Sequence, residues 1–323
     1  MKKKKLLSYL LTIFISTSAF SWGFWAHQRI NRLAVFTLPP EMTGFYKENI
    51  VFITEHATDP DDRRTAVKDE APKHYIDLDI YGPNAFEVLP KKWKDAVEKY
   101  TEDTLQAYGI VPWHINYMRI QLTKAFKEKN VYRILRLSAE IGHYIADSHV
   151  PLHTTENYNG QKTNQHGIHG FWESRIPEML GENFDLFTGK AEYISNPTDY
   201  VWETIKQSHA CLDSVFGFEK NLNATFPEDR KYSFENRGNA VTKVYSKDYT
   251  KKYADMLSNQ VDRRMRKSIG SVGNFWYTCW VDAGQPDLSS LLKYKFSEEE
   301  IKNIEQEKEE IKKGQVKFVD REK

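Results

Sequence analysis

Three of the chain's ten histidines fall within one stretch of eleven residues, His143-Tyr-Ile-Ala-Asp-Ser-His-Val-Pro-Leu-His153. The run that leads into it, residues 131–148, carries Ile134, Leu135, Leu137, Ile141 and Ile145 at helical spacing and ends before Pro151. On such a helix His143 and Asp147 stand one turn apart on one face, where an imidazole and a carboxylate can meet a single cation. His153 lies just past the helix-stopping proline, able to turn toward a neighbouring site. A second pair, His169 and Glu173, repeats the i, i+4 spacing after a polar, glycine-containing loop, ENYNGQKTNQHGIHG. Upstream, Asp59 (in ATDPDDRR) precedes His74 (in PKHYIDLD), and His27 lies near the start. Nitrogen and carboxylate donors suit zinc. Adjacent metals bridged by a carboxylate suit phosphoester cleavage, because they activate water and stabilise both the attacking and the leaving oxygen.

What precedes His27 bears on this chemistry. Lys2 to Lys5 form a positive n-region, Leu6 to Ile15 a short apolar h-region, and Ala19 and Ser21 supply small residues at a cleavage site. Residues 1–21 therefore read as a secretory signal cut between Ser21 and Trp22, and the protein is expected in the periplasm or outside the cell. The apolar run falls short of the ~20 residues that a membrane span needs. No cysteine follows it that could carry a lipid anchor. Cleavage would free the α-amino group of Trp22, whose pKa near 7.7–8 lets it give up its proton to a metal close to neutral pH.

In chain order, Trp22, His27, Asp59, His74, His143, Asp147, His153, His169 and Glu173 resemble the pattern of the zinc-dependent phospholipase C and single-strand-specific zinc nuclease superfamily. All nine positions are filled, over about 150 residues. The resemblance implies a mostly α-helical single domain and a cluster of three zinc ions. One zinc would take Asp59, His74, His143 and Asp147. A second would take His153, His169 and Glu173, with open positions for water and substrate. The third would take the Trp22 amino nitrogen and carbonyl with His27 and Asp147, so that Asp147 bridges two metals. The implied reaction is phosphoester hydrolysis by a metal-activated water, with Asp59 also orienting or deprotonating that water. Related nucleases place an arginine near that aspartate to hold phosphate; here Arg63, Arg64 or neither would fill that role, a solvated turn being the other reading.

The two branches of the superfamily differ in substrate. The Trp22–His27 and Asp59–His74 spacings resemble the nucleases. Glu173, the short His153–His169 loop and the shortage of cysteines resemble the phospholipases, and the balance leans to the phospholipase C side. The expected partner is thus a phospholipid head group or, alternatively, single-stranded nucleic acid, with transient contact to a membrane surface and no stable protein partner. Tyr75 and Asp77 match substrate-contacting positions in both branches, and core packing explains Tyr75 equally well. Trp25, Tyr144, Tyr158, Phe171 and Trp172 add aromatic surface near the candidate ligands. A domain that holds zinc for stability alone is the reading from another class.

The elements that must position these residues are mostly helical. Residues 27–38, 95–107, 113–129, 199–215 and 239–268 carry amphipathic periodicity, and strand-like pattern is confined to short pieces near 74–80. The domain is expected over residues 22–295. Residues 296–323 read as a charged helix or tail, solvated along its length. Lys and Arg total 46 against 45 acids, a net charge of +1 that argues against a strongly basic nucleic-acid footprint. Cys211 and Cys279 could form one bridge but no disulfide scaffold. His149 should face away from His143, and His166 is a stand-in ligand three residues before His169. His56, His114 and His209 have no partner pattern.

Overall fold

The structure is a computed structural model that describes residues 23–64, 66–237 and 240–313. It is a multi-helix, mostly α fold, as the periodicity implies. Residues 1–21, read above as a secretory signal, and the last ten residues, 314–323, lie outside the described residues.

The helix Val131–Ser148 runs through the middle of the molecule. Its start is fixed by Asn130, whose side chain accepts a hydrogen bond from the Arg133 backbone N–H at 3.0 Å. From Ser138 to Ser148 every residue is buried. A helix with no solvent face must be covered all round. Val111–Lys127, Gln260–Asp282 and Phe24–Ala34 supply much of that cover, with Ile50–Glu55, the turn His56–Thr58 and Pro197–His209 adding to it. Large aromatics fill the gaps. Tyr46 stacks on Trp276 at 4.9 Å; its hydroxyl pairs with Ser138 Oγ at 2.8 Å, and Trp276 Nε1 donates to the Ser138 carbonyl at 3.0 Å.

The crossing of the first helix over the central one depends on a missing side chain. A Cβ at Gly142 would come within 2.1 Å of Asn31 Oδ1. Asn31 cannot readily yield, because its Nδ2 donates to the Ala139 carbonyl at 2.9 Å. The close approach brings His27 onto His143 with ring centroids 3.8 Å apart. Gly142→Ala is therefore expected to lower stability by about 1–3 kcal/mol through overpacking, and to separate His27 from His143. Thermal melts together with zinc content check this; an unchanged zinc content would dismiss the contact as incidental.

Several segments differ from the sequence expectations. Residues 95–107 form two helices, Trp93–Tyr100 and Glu102–Tyr108, broken at Thr101 with φ 66°. The expected strand pieces near 74–80 are the 3-10 turns Ala71–His74 and Leu78–Tyr81. The region 199–215 divides into Pro197–His209 and Leu212–Thr225. The expected helix over 239–268 begins instead as a strand. β1 (Tyr232–Arg237) and β2 (Ala240–Tyr245) form an antiparallel hairpin, followed by helices Lys247–Met256 and Gln260–Asp282. Cys211 and Cys279 both remain thiols.

The charged helix Glu298–Lys313 is laid against the body. Phe296, just before it, stacks on Phe52 at 5.2 Å. Glu307 then opens a file of alternating charges. It pairs with Arg136 at 2.5 Å, Arg136 with Glu140 at 3.0 Å, Glu140 with Arg63 at 2.9 Å, and Arg63 with Glu70 at 3.6 Å. Glu70 also accepts from the Tyr144 hydroxyl and faces His74 Nε2 at 3.8 Å.

Candidate metal centre

Donors converge at two places in the interior, one where His27, Asp61, His74 and Asp147 gather about His143 and one at His153, His169 and Glu173, and every side chain in them is buried. In the first, His143 Nε2 lies 3.1 Å from His74 Nδ1 and 3.3 Å from Asp147 Oδ2, and His74 Nδ1 lies 2.9 Å from that same oxygen. Asp61 Oδ1 completes the group, 3.7 Å from His143 Nε2 and 3.8 Å from His74 Nδ1. Tetrahedral zinc with bonds of 2.0–2.1 Å sets its ligand atoms about 3.3 Å apart, so this spacing suits an ion at the centre. In the second group, Glu173 Oε2 lies 3.1 Å from His169 Nε2 and 3.5 Å from His153 Nε2. Three protein donors leave a fourth position open, the pattern of catalytic rather than structural zinc.

Asp147 links the set. Its Oδ2 serves the first group, while its Oδ1 reaches His27 Nε2 at 3.4 Å. Backbone carbonyls fix which nitrogen each histidine presents. His143 Nδ1–H donates to the Ala57 carbonyl at 2.9 Å, and His153 Nδ1–H to the His74 carbonyl at 2.6 Å, so each turns Nε2 inward. His74 is reversed: Nδ1 points into the group and Nε2 faces Glu70. Metal-binding histidines commonly hold their second nitrogen in this way. Glu70→Gln is expected to weaken zinc binding roughly 10–100-fold, read by competition with a chromogenic chelator. Unaltered affinity would leave Glu70 a purely structural residue.

The donors fit a cation by another observation. Neither oxygen of Asp61 nor of Glu173 accepts a hydrogen bond, and His153 Nε2 makes none, though all are buried. Buried charge without hydrogen bonds is costly. Burial pushes the Glu173 carboxyl up to about 7. Burial opposes charge on His143, yet Asp147 and Asp61 outweigh it and raise its pKa to about 9. Burial holds His27 and His153 below the usual imidazole value. Asp147 lies well below the usual carboxylate range in spite of its burial, because of His143 and His153.

The structure places His27, His74, His143, Asp147, His153, His169 and Glu173 in these groups. It does not place Asp59 there. Asp59 opens the helix Asp59–Arg64 and accepts from His56 Nδ1 at 2.6 Å, away from the centre. Asp61, two residues on, is turned about 200° around that helix and brings its carboxylate to His74 and His143. Pro60 marks the helix start, but no local signal tells which of Asp59, Asp61 and Asp62 faces inward. Trp22 lies outside the described residues. Gly23, which follows it, abuts Ser174, the neighbour of Glu173.

Other expectations resolve around the centre. Arg63 is buried in the charge file and is engaged there, while Arg64 is half-buried. Tyr75 and Asp77 are buried at 4% exposure each, which favours packing over substrate contact. Tyr158 meets the His169 ring edge-on at 5.6 Å. His149 points away from the groups and bonds Ser271 Oγ at 2.9 Å; His166 is exposed. Two partners that the sequence reading left out, Asp61 and Glu70, complete the acid complement.

No protein-family profile matches the chain, and no curated protein matches it. Among solved structures that match is Clostridium perfringens alpha-toxin from an avian strain, 12% identical, with a TM-score of 0.47. The match covers 83% of this chain and 65% of that one, so the chain spans less than two thirds of the toxin's length. The likeness is too distant to bear on function.

Proposed function

We propose that the chain is an exported zinc-dependent phosphoric ester hydrolase of the phospholipase C type, with phosphodiesters of lipid head groups as its substrate class. The observation that carries this reading is the sharing of Asp147 between His74 and His143 on one side and His27 on the other, beside the three-donor group of His153, His169 and Glu173. Zinc held there supplies activated water and offsets charge that builds on the phosphoryl oxygens. Asp61, His74, His143 and Asp147 would hold one ion, and His153, His169 and Glu173 a second. His27 and Asp147, with the amino end of Trp22, would hold a third. The role first expected of Asp59 passes to Asp61. The chain's own contribution is order: the Ala57 and His74 carbonyls lock the His143 and His153 imidazoles, Glu70 sets a charge 3.8 Å behind His74 Nε2, and burial keeps bulk water from competing for the donors.

The open position in the second group weighs against zinc held for stability alone. The test is a substrate panel on zinc-loaded protein that begins at Trp22: a chromogenic phosphodiester, phosphatidylcholine vesicles and single-stranded DNA. Lipid turnover abolished by chelation is expected. Turnover of DNA alone would move the chain to the nuclease branch, and tight zinc binding with no turnover at all would end the hydrolase reading. Extra residues ahead of Trp22 are expected to remove one zinc and most activity, because a peptide nitrogen is a far poorer ligand than an amine. Equal zinc content in extended and correctly trimmed protein would release Trp22 from the centre.

A further inference from the structure

The hairpin β1–β2 is built the wrong way round. A sheet with one face on the protein ordinarily turns apolar residues in and polar residues out. Here Ser233, Glu235, Thr242 and Val244 are the half-buried set, while Phe234 is 73% exposed and Val241 68% exposed. Phe234 pairs with Lys243 across the strands, so Phe234, Val241 and Lys243 share the outward face. Tyr232 sits on that face too, with Lys243 Nζ 4.0 Å from its ring centroid. The surroundings are basic. From Lys231 to Lys252 there are six Lys/Arg and two acids, in a chain whose net charge is +1. Of those acids, Glu235 is neutralised by Arg175 at 2.8 and 2.6 Å and Asp248 by Arg230 at 2.7 Å.

We propose that this face docks the protein onto an anionic lipid bilayer, Phe234 and Val241 entering the interface while the lysines meet acidic head groups. Three considerations single out that occupant. Lys243 stands beside Phe234 and Tyr232 on the outward face, while Lys231 is taken up by Glu219 at 3.2 Å; a cation set among exposed apolar residues is the arrangement of peripheral segments that bind acidic membranes. A second copy of the chain would set the same lysines against each other. The outward face of two six-residue strands also spans only about 200 Å² from strand spacing and rise, well below the ~800 Å² per partner of a stable protein interface. Val241, moreover, offers no ring on which a nucleic-acid base could stack. The hairpin is a firm support. Arg175 also donates to the Tyr245 carbonyl at 3.1 Å, and Phe171 stacks on Tyr245 at 3.8 Å, so the hairpin is clamped to the segment that carries Glu173.

This inference deepens the lipid reading of the metal centre but is measured apart from it. Zinc-loaded protein is sedimented with vesicles of phosphatidylcholine alone and of equal parts phosphatidylcholine and phosphatidylserine, and hydrolysis of a soluble phosphodiester is followed in parallel. Binding to the anionic vesicles is expected, weakened by salt. Phe234→Ser with Val241→Ser should weaken it roughly tenfold or more, and Lys243→Glu should weaken it as well, with soluble turnover and melting temperature unchanged. Phe234→Trp keeps the apolar bulk and should give a blue-shifted emission on anionic vesicles. Vesicle binding equal in wild type and double variant, an unshifted Trp emission, or dimerisation or single-stranded DNA binding lost in the double variant would each overturn the proposal. Vesicle binding without any turnover would overturn only the hydrolase reading.

Discussion

Asp147→Asn is expected to be the most damaging single change in the molecule: zinc content falls by more than one ion and turnover drops by roughly three orders of magnitude. The carboxylate offers Oδ2 to His74 and His143 and Oδ1 to His27, so one substitution touches both sets of donors and, on the proposed function, two ions. An amide keeps the shape but loses the charge, and its nitrogen cannot donate a lone pair. A supporting partner outside the coordination shell costs only ~10–100-fold, which sets the floor that this change must exceed. Asp59→Asn is the matched control. Its carboxylate pairs with His56 and should leave zinc content unaltered. Metal analysis with kcat/KM on both variants decides; equal effects would restore Asp59 to the centre.

The second large effect concerns Glu173→Gln and separates stability from activity. The buried carboxyl has its pKa raised from 4.5 to about 7. A raised folded-state value means that the group's contribution is fully present below its unfolded pKa and is lost as pH climbs through 7. Metal-free protein should therefore lose stability between about pH 4.5 and 7, by on the order of 3 kcal/mol at 1.36 kcal/mol per unit. Glutamine cannot ionise. Metal-free Glu173→Gln should match wild type near pH 4.5 and exceed it at pH 8, while it gains far less from added zinc and has little or no turnover. Chemical denaturation at both pH values, with and without zinc, reads all of this. A variant less stable than metal-free wild type at pH 8 would mean that the carboxylate is satisfied by the protein itself.

Much of the centre was legible because helical spacing carries it. His143 with Asp147 and His169 with Glu173 need only the i, i+4 rule, and the central helix has the bounds 131–148 that its periodicity and Pro151 announce. The second pair is held less regularly than the spacing suggests. Residues Phe171–Arg175 form a π-helix, the wide turn often found at functional sites. Asp61 was hidden because three acids crowd Asp59–Asp62, and only the helix's rotation tells which one faces inward. The hairpin was hidden for a different reason. Phe234 and Val241 point to solvent while Val244 and Tyr245 turn in, so the apolar positions do not alternate cleanly and no strand could be inferred from them, although the Gly238-Asn239 pair was a turn signal. The Glu70 contact arises from distant segments, and no local spacing encodes it.

The file of charges from Glu307 to Glu70 reaches from the far end of the chain to the back of His74. Shortening the protein before Glu307 would take one carboxylate partner from both Arg136 and Arg63; Arg63 would then lean harder on Glu70 and draw it away from the imidazole. The donor group around His74 would then loosen with none of its own members altered, so a remote trim would register at the candidate metal centre.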